Sequence, residues 1–175
     1  MSAHDLCDHT LADRIFAQLD ALGVAHGLLQ VEITETAIVS DPPRAVATLV
    51  RLREGGVRVS LDDFGQGYSS LAHLARFPLD ELKIDRSFIA NMTTNPNDRT
   101  IVRAVIELSH QLGLEVVAEG IESVDLLEAL SAWGCDAAQG YAITPPLAAA
   151  DVATWLNTRR TRPTSTPRKR AYVDL

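Results

Sequence analysis

Acidic and carboxamide residues recur at the ends of short apolar runs along this 175-residue chain. Glu32 stands in VEITE, Asp62 and Asp63 close VSLDD, Lys83 and Asp85 close LKID, Glu119 closes VVAEG, and Gln139 follows DAA. Carboxylates gathered on one cavity repel one another and raise their own pKa values unless cations neutralise them. Oxygen-only ligands without Cys or His favour hard ions such as Mg²⁺, Mn²⁺ or Ca²⁺ over zinc. Two such ions roughly 3.5 to 4 Å apart are a common device for cleaving phosphodiesters. The five histidines, His4, His9, His26, His73 and His110, show no ligand-like pairing.

Each of these residues also has a plainer reading. An Asp pair before a turn caps the following helix in water, Lys83 pairs with Asp85 or a nearby Glu at a sheet rim, and Glu119 complements the N-terminus of the next helix. Their joint occurrence at successive run ends is what favours a site. Neighbours on a regular strand point to opposite faces, so Asp62 and Asp63 reach one cavity only if the strand ends or bulges there. Gly65 and Gly67 permit a tight turn beyond them.

The elements that must position these groups alternate, short β-branched runs with helical stretches, as in a parallel α/β domain. Strands are expected over Leu28 to Ile33, Val57 to Asp62, Glu81 to Asp85, Glu115 to Glu119 and Asp136 to Gln139, with about six helices between and around them. A helix covers Asp8 to Leu22; Asp41 with Pro42 and Pro43 opens another that Gly55 and Gly56 close; Ser123 opens one that Gly134 closes. Ile101, Val102, Val105, Ile106 and Leu112 recur at helical spacing, so Asn97 to Leu112 forms a helix stopped by Gly113. Strand C-termini form the ligand face of βα folds, which is where the carboxylates fall. A closed (β/α)₈ barrel needs eight strands and typically about 250 residues, so five strands imply an incomplete barrel-like sheet.

With 46% hydrophobic residues the chain can bury one core, and no segment approaches the roughly 18 to 20 consecutive apolar residues of a membrane span. No signal peptide is visible, and a cytoplasmic location is expected. Cys7 and Cys135 are too far apart in sequence, and too few, for a disulfide framework or a zinc site. The net charge of -7 divides into +5 from Arg159 onward and -12 for the rest, and so acidic a body is a poor DNA binder. Residues 1–158 read as the domain and 159–175 as a basic, disordered tail.

Taken in order, VEITET, SLDDFGQGYSSL, FPLDELKIDRSFI, VVAEGIES and GCDAAQGY resemble successive signature blocks of the EAL domain family, over about Ser2 to Leu156. The resemblance implies a TIM-barrel-like fold, hydrolysis of cyclic di-GMP to pGpG with Mg²⁺ or Mn²⁺, and frequent homodimers. It implies that Glu32, Asp62 and Asp63 bind metal, with Asp62 a bridging candidate, and that Lys83 positions the attacking water. Glu119 would serve as second-metal or general-base carboxylate, and Gln139 would complete the water or metal shell. Glu35 would anchor the segment Phe64 to Ser70, and Tyr141 is the nearest candidate for stacking on a base, with buried packing the alternative.

Two departures qualify the resemblance. The family's EAL-triplet glutamate, its nearby arginine and a ligand asparagine belong to segments that would precede Met1, and Pro145 in YAITPPL stands where a basic residue often precedes the final proline. The isolated chain is therefore expected to be an impaired or inactive phosphodiesterase, a non-catalytic cyclic-di-GMP-binding or regulatory module being the alternative and an inert product a third reading. An uncovered edge on Leu28 to Ile33 is expected to pair with another chain.

Overall fold

The computed structural model describes residues 1–65, 74–160 and 170–171. Five parallel strands follow one another in space as in sequence: β1 (Gln30–Thr34), β2 (Arg58–Phe64), β3 (Glu81–Ile84), β4 (Glu115–Ala118) and β5 (Ala137–Ala138). A two-residue strand, β6 (Arg170–Ala171), pairs with β5. Of the tail expected from Arg159, two residues thus join the sheet, and 161–169 and 172–175 lie outside the described residues.

Parallel neighbours require crossovers, and helices supply them. Eight α-helices occur among the described residues: α1 (Ala3–Leu6), α2 (Leu11–Leu22), α3 (Glu35–Val39), α4 (Pro42–Glu54), α5 (Arg86–Asn91), α6 (Pro96–Gln111), α7 (Val124–Ala132) and α8 (Ala149–Arg160). This exceeds the expected six because α1, α3 and α5 span six residues or fewer, too short to show a helical period. Their caps are nonetheless local. Ser2 and Asp5 form a reciprocal capping box on α1, and Asp85 caps α5 by accepting from Ser87 N (2.9 Å).

The longer helices end where their sequences say. Asp41 Oδ1 accepts from Arg44 N at the head of α4, and Gly56 follows with φ +91°. Ser123 caps α7, Asn95 caps α6, and Gly113 at φ +76° turns the chain out of α6 into β4. α2 starts three residues after Asp8, which instead folds a turn by accepting from Thr10 N and Oγ1.

The two faces of the sheet differ in chemistry. Val31 and Ile33, Val59 and Leu61, Leu82 and Ile84, and Val116 and Ala118 pack in one core with Leu49, Leu52, Val102, Ile106, Leu126 and Leu130 from the helices. The alternate positions carry polar groups. Glu81, 1% exposed, accepts from Gln30 Nε2 (2.6 Å) and Ser60 Oγ (2.8 Å), and Arg58 pairs with Glu115 at 2.6 Å. The inner face is thus largely polar where it leads up to a charged site, Val117 beside Lys83 being its apolar exception.

Candidate functional site

β2 resolves the geometric problem posed by adjacent aspartates. Its register against β3 is regular at Ser60–Glu81 and Leu61–Leu82, then shifts before Phe64–Ile84, which is a bulge. Asp63 adopts φ +56°, the only non-glycine residue with positive φ among the described residues. Aspartate tolerates this left-handed conformation better than most residues. The bulge brings carboxylate oxygens of Asp62, Asp63 and Glu119 within 4.8 Å of one another, each side chain partly buried. The turn device is therefore Asp63 itself, with Gly65 (φ +107°) closing behind it.

Lys83 stands at the centre of the acidic groups. Its Nζ lies 2.6 Å from Glu119 Oε1, 2.9 Å from Glu32 Oε1 and 3.3 Å from Asp62 Oδ1. Lys83 is buried, whereas Glu32 is half-exposed and outside the three-carboxylate cluster. Burial alone would lower the Lys83 pKa, but the hydrogen bonds to Glu119 and Glu32 outweigh it and hold the ammonium well above an ordinary lysine.

The carboxylates feel the opposite pressure. Burial raises the pKa of Glu119, partly offset by Lys83, with Asp62 and Glu32 adding to the rise. Burial also raises that of Asp63, followed by repulsion from Asp62 and Asp85. Two elevated carboxylates beside a charged lysine describe a site short of positive charge.

The remaining candidates are placed around this centre. Gln139 is tied to the strand of Glu119: its N–H donates to Ala118 O (2.9 Å), and its carbonyl accepts from Ile121 N (3.0 Å). Gly140 makes that tie possible, since a Cβ there would stand 2.2 Å from Ile121 N and 2.4 Å from Ile121 O. Tyr141 is 72% exposed, so the packing alternative does not hold. Glu35, in the first turn of α3, is 5% exposed, and its Oε2 has no hydrogen-bond partner among the described residues. The segment it is expected to anchor lies outside the described residues from Gln66 to Ser70.

Asp85 stands at a strand end in the sequence, which assigns it no part in the site beyond pairing with Lys83. It is 4% exposed, and its charge bears on Asp63. The signal was its place one residue past the end of β3, the position that Glu119 occupies after β4.

The donor set fits a hard divalent cation. All three cluster ligands are carboxylate oxygens, and Asp62 Oδ1 is buried without a hydrogen bond, since its 3.3 Å approach to Lys83 lacks hydrogen-bond geometry. A buried acceptor of this kind is costly unless a cation or water meets it.

The EAL domain profile matches residues 1–146. Cyclic di-GMP phosphodiesterase NbdA of Pseudomonas aeruginosa is 41% identical over 158 residues, which is 90% of this chain and 20% of NbdA. The chain thus spans about a fifth of the length of that relative. Among solved structures, the EAL domain of Mycobacterium smegmatis DcpA superposes with a TM-score of 0.84 at 39% identity, covering 90% of this chain and 71% of that one. Klebsiella pneumoniae BlrP1, solved as a manganese/cyclic-di-GMP complex, gives a TM-score of 0.69 at 31% identity over 74% of this chain and 33% of its own. With a profile match over most of its length and a TIM-barrel-like arrangement of the same blocks, the chain belongs to the EAL domain family.

Proposed function

We propose that this chain carries a cyclic-di-GMP phosphodiesterase site of the EAL type, in which Asp62, Asp63 and Glu119 hold divalent metal. The observation that carries the reading is the convergence of these three carboxylates within 4.8 Å on the strand-end face of the sheet. Bound Mg²⁺ or Mn²⁺ would supply Lewis acidity and an activated water in the two-metal manner. The manganese and calcium complexes of BlrP1 with cyclic di-GMP support both ligand and metal class.

The chain's own residues have separable tasks. Asp62 and Asp63 hold the cation from a strand bulge, and Glu119, with its raised pKa, accepts the proton of the attacking water. Lys83 orients that water from below, and Gln139 completes the shell beside Glu119. Glu32 contributes from β1 across Lys83. Exposed Tyr141 offers a face on which a guanine base stacks. Glu35, buried at the head of α3, is assigned the anchoring of the segment after Gly65 on the strength of its place in the family pattern. β1 has a strand on one side only among the described residues, its outer edge met at Glu32 O by the Met1 amine, and that edge is where another strand would pair, as in a dimer.

Three clustered carboxylates are few for two six-coordinate ions. The 175 residues assayed alone are therefore expected to bind cyclic di-GMP with divalent metal but to turn it over slowly. Chromatographic detection of pGpG in Mn²⁺ tests this. The expected rate is far below about 1 s⁻¹, a typical enzyme value; a rate at or above it refutes the impairment, and failure to bind the nucleotide refutes the substrate.

A further inference from the structure

We propose that Lys83 competes with the divalent cation for its ligands and so limits how tightly the site binds metal, an inference that rests on reading Asp62, Asp63 and Glu119 as cation ligands. Two of those three carboxylates, Glu119 and Asp62, are held by the Lys83 ammonium, at 2.6 and 3.3 Å. A third carboxylate, Glu32, is held by Nζ at 2.9 Å and is not one of the three clustered groups. The ammonium is thus a fixed positive charge among the oxygens that a metal would take, and it also engages a further carboxylate beside them.

The placement of the lysine makes the competition strong. Lys83 is 5% exposed on β3, which is paired on both sides, by β2 and β4. A buried charge is weakly screened, so salt and solvent do little to relieve its repulsion of a nearby dication. A lysine that instead serves to hold Glu119 and Asp62 in place for the metal would leave affinity unchanged or lower it when removed. A competing lysine yields tighter binding, and part of that gain depends on Glu32, released to become an additional ligand.

MnCl₂ titration calorimetry on the 175-residue chain, Lys83→Met, Lys83→Arg and Lys83→Met/Glu32→Gln distinguishes these roles. Lys83→Met is expected to bind Mn²⁺ about tenfold tighter or more, a change of readily measured size. Lys83→Arg is expected to stay near the unaltered chain, and the double variant to fall between the unaltered chain and Lys83→Met. If Lys83→Met folds poorly, the Mn²⁺-induced rise in its melting temperature reports the same affinity through linkage; a rise larger than that of the unaltered chain supports the proposal, and an equal or smaller one overturns it. Binding by the unaltered chain with no gain in Lys83→Met overturns the competition alone. Absence of saturable Mn²⁺ binding in every protein overturns the cation reading and the competition with it.

Discussion

Replacing Gly140 by alanine should cost far more than the same change at Gly113, and the structure says by how much. Both glycines have positive φ, +153° and +76°, so each substitution carries a backbone penalty of about 1 to 2 kcal/mol. At Gly113 a Cβ meets nothing within 4 Å, and that penalty is the whole effect. At Gly140 the Cβ would stand 2.2 to 2.8 Å from three backbone atoms of Ile121, a buried residue that no rotamer change can move aside. Relieving the clash separates the two loops and breaks Ile121 N to Gln139 O (3.0 Å) and Ala142 N to Ile121 O (2.8 Å). At about 1 kcal/mol for each bond, Gly140→Ala costs about 3 to 4 kcal/mol in total. Urea denaturation of both variants measures the difference. Equal costs within about 0.5 kcal/mol, the usual scale of a neutral surface change, would refute the reasoning. The separation also displaces Gln139 from Glu119, so Gly140→Ala should weaken cyclic-di-GMP binding where Gly113→Ala does not.

Asp63→Asn keeps the left-handed backbone and removes a charge. Because burial and Asp62 raise the Asp63 pKa above 3.8, its ionisation opposes folding as pH rises through the folded value. The variant should melt higher than the unaltered chain at pH 7 in EDTA, show no advantage below pH 3.8, and lose Mn²⁺ affinity; a lower melting point at pH 7 contradicts this. His26 faces two acceptors, Gly55 O at 2.7 Å and Asp20 Oδ1 at 3.0 Å, and the carbonyl contact and Asp20 raise its pKa above 6.5. Its contribution is present below pH 6.5 and fades as pH rises through the folded value, so His26→Gln should flatten the melting-temperature profile above pH 6.5. Glu81→Ala strands the donors of Gln30 and Ser60 and should cost about 2 to 4 kcal/mol by urea denaturation, where a change below about 1 kcal/mol would show the inner network to be dispensable. Light scattering should detect self-association through the β1 edge, and a strictly monomeric chain at high concentration counts against that pairing.

How legible the protein is in its sequence depends on the range of the signal. Strand ends carrying Glu32, Asp62, Lys83 and Glu119 were readable because short β-branched runs and their punctuation are local, and each of β1 to β5 falls within two residues of its expected bounds. Caps such as Asp41, Ser123 and Gly113 were readable for the same reason. The need for a bulge at Asp62 and Asp63 followed from alternation alone, but the means did not. The glycines of FGQG drew attention, whereas Asp63 itself takes the unusual φ.

Other features depended on distance in the chain. The link from Lys83 to Glu119 joins β3 to the residue just past β4, and the β3–β4 register, which sets Lys83 beside Val117, brings them together. The polar inner face around Glu81 was hidden because its partners, Gln30 and Ser60, lie 51 and 21 residues away. Short helices such as α3 and α5 were missed because they lack the two turns over which a helical period shows.

The central claim is that the Asp62, Asp63 and Glu119 cluster is where metal and cyclic di-GMP bind together. Calorimetric titration of cyclic di-GMP into the 175-residue chain with Ca²⁺, with EDTA, and with Ca²⁺ in an Asp62→Asn/Asp63→Asn variant tests it most directly. Saturable binding is expected in Ca²⁺ and is expected to disappear both in EDTA and in the double variant. Binding that persists in either, or none in Ca²⁺, would contradict the claim.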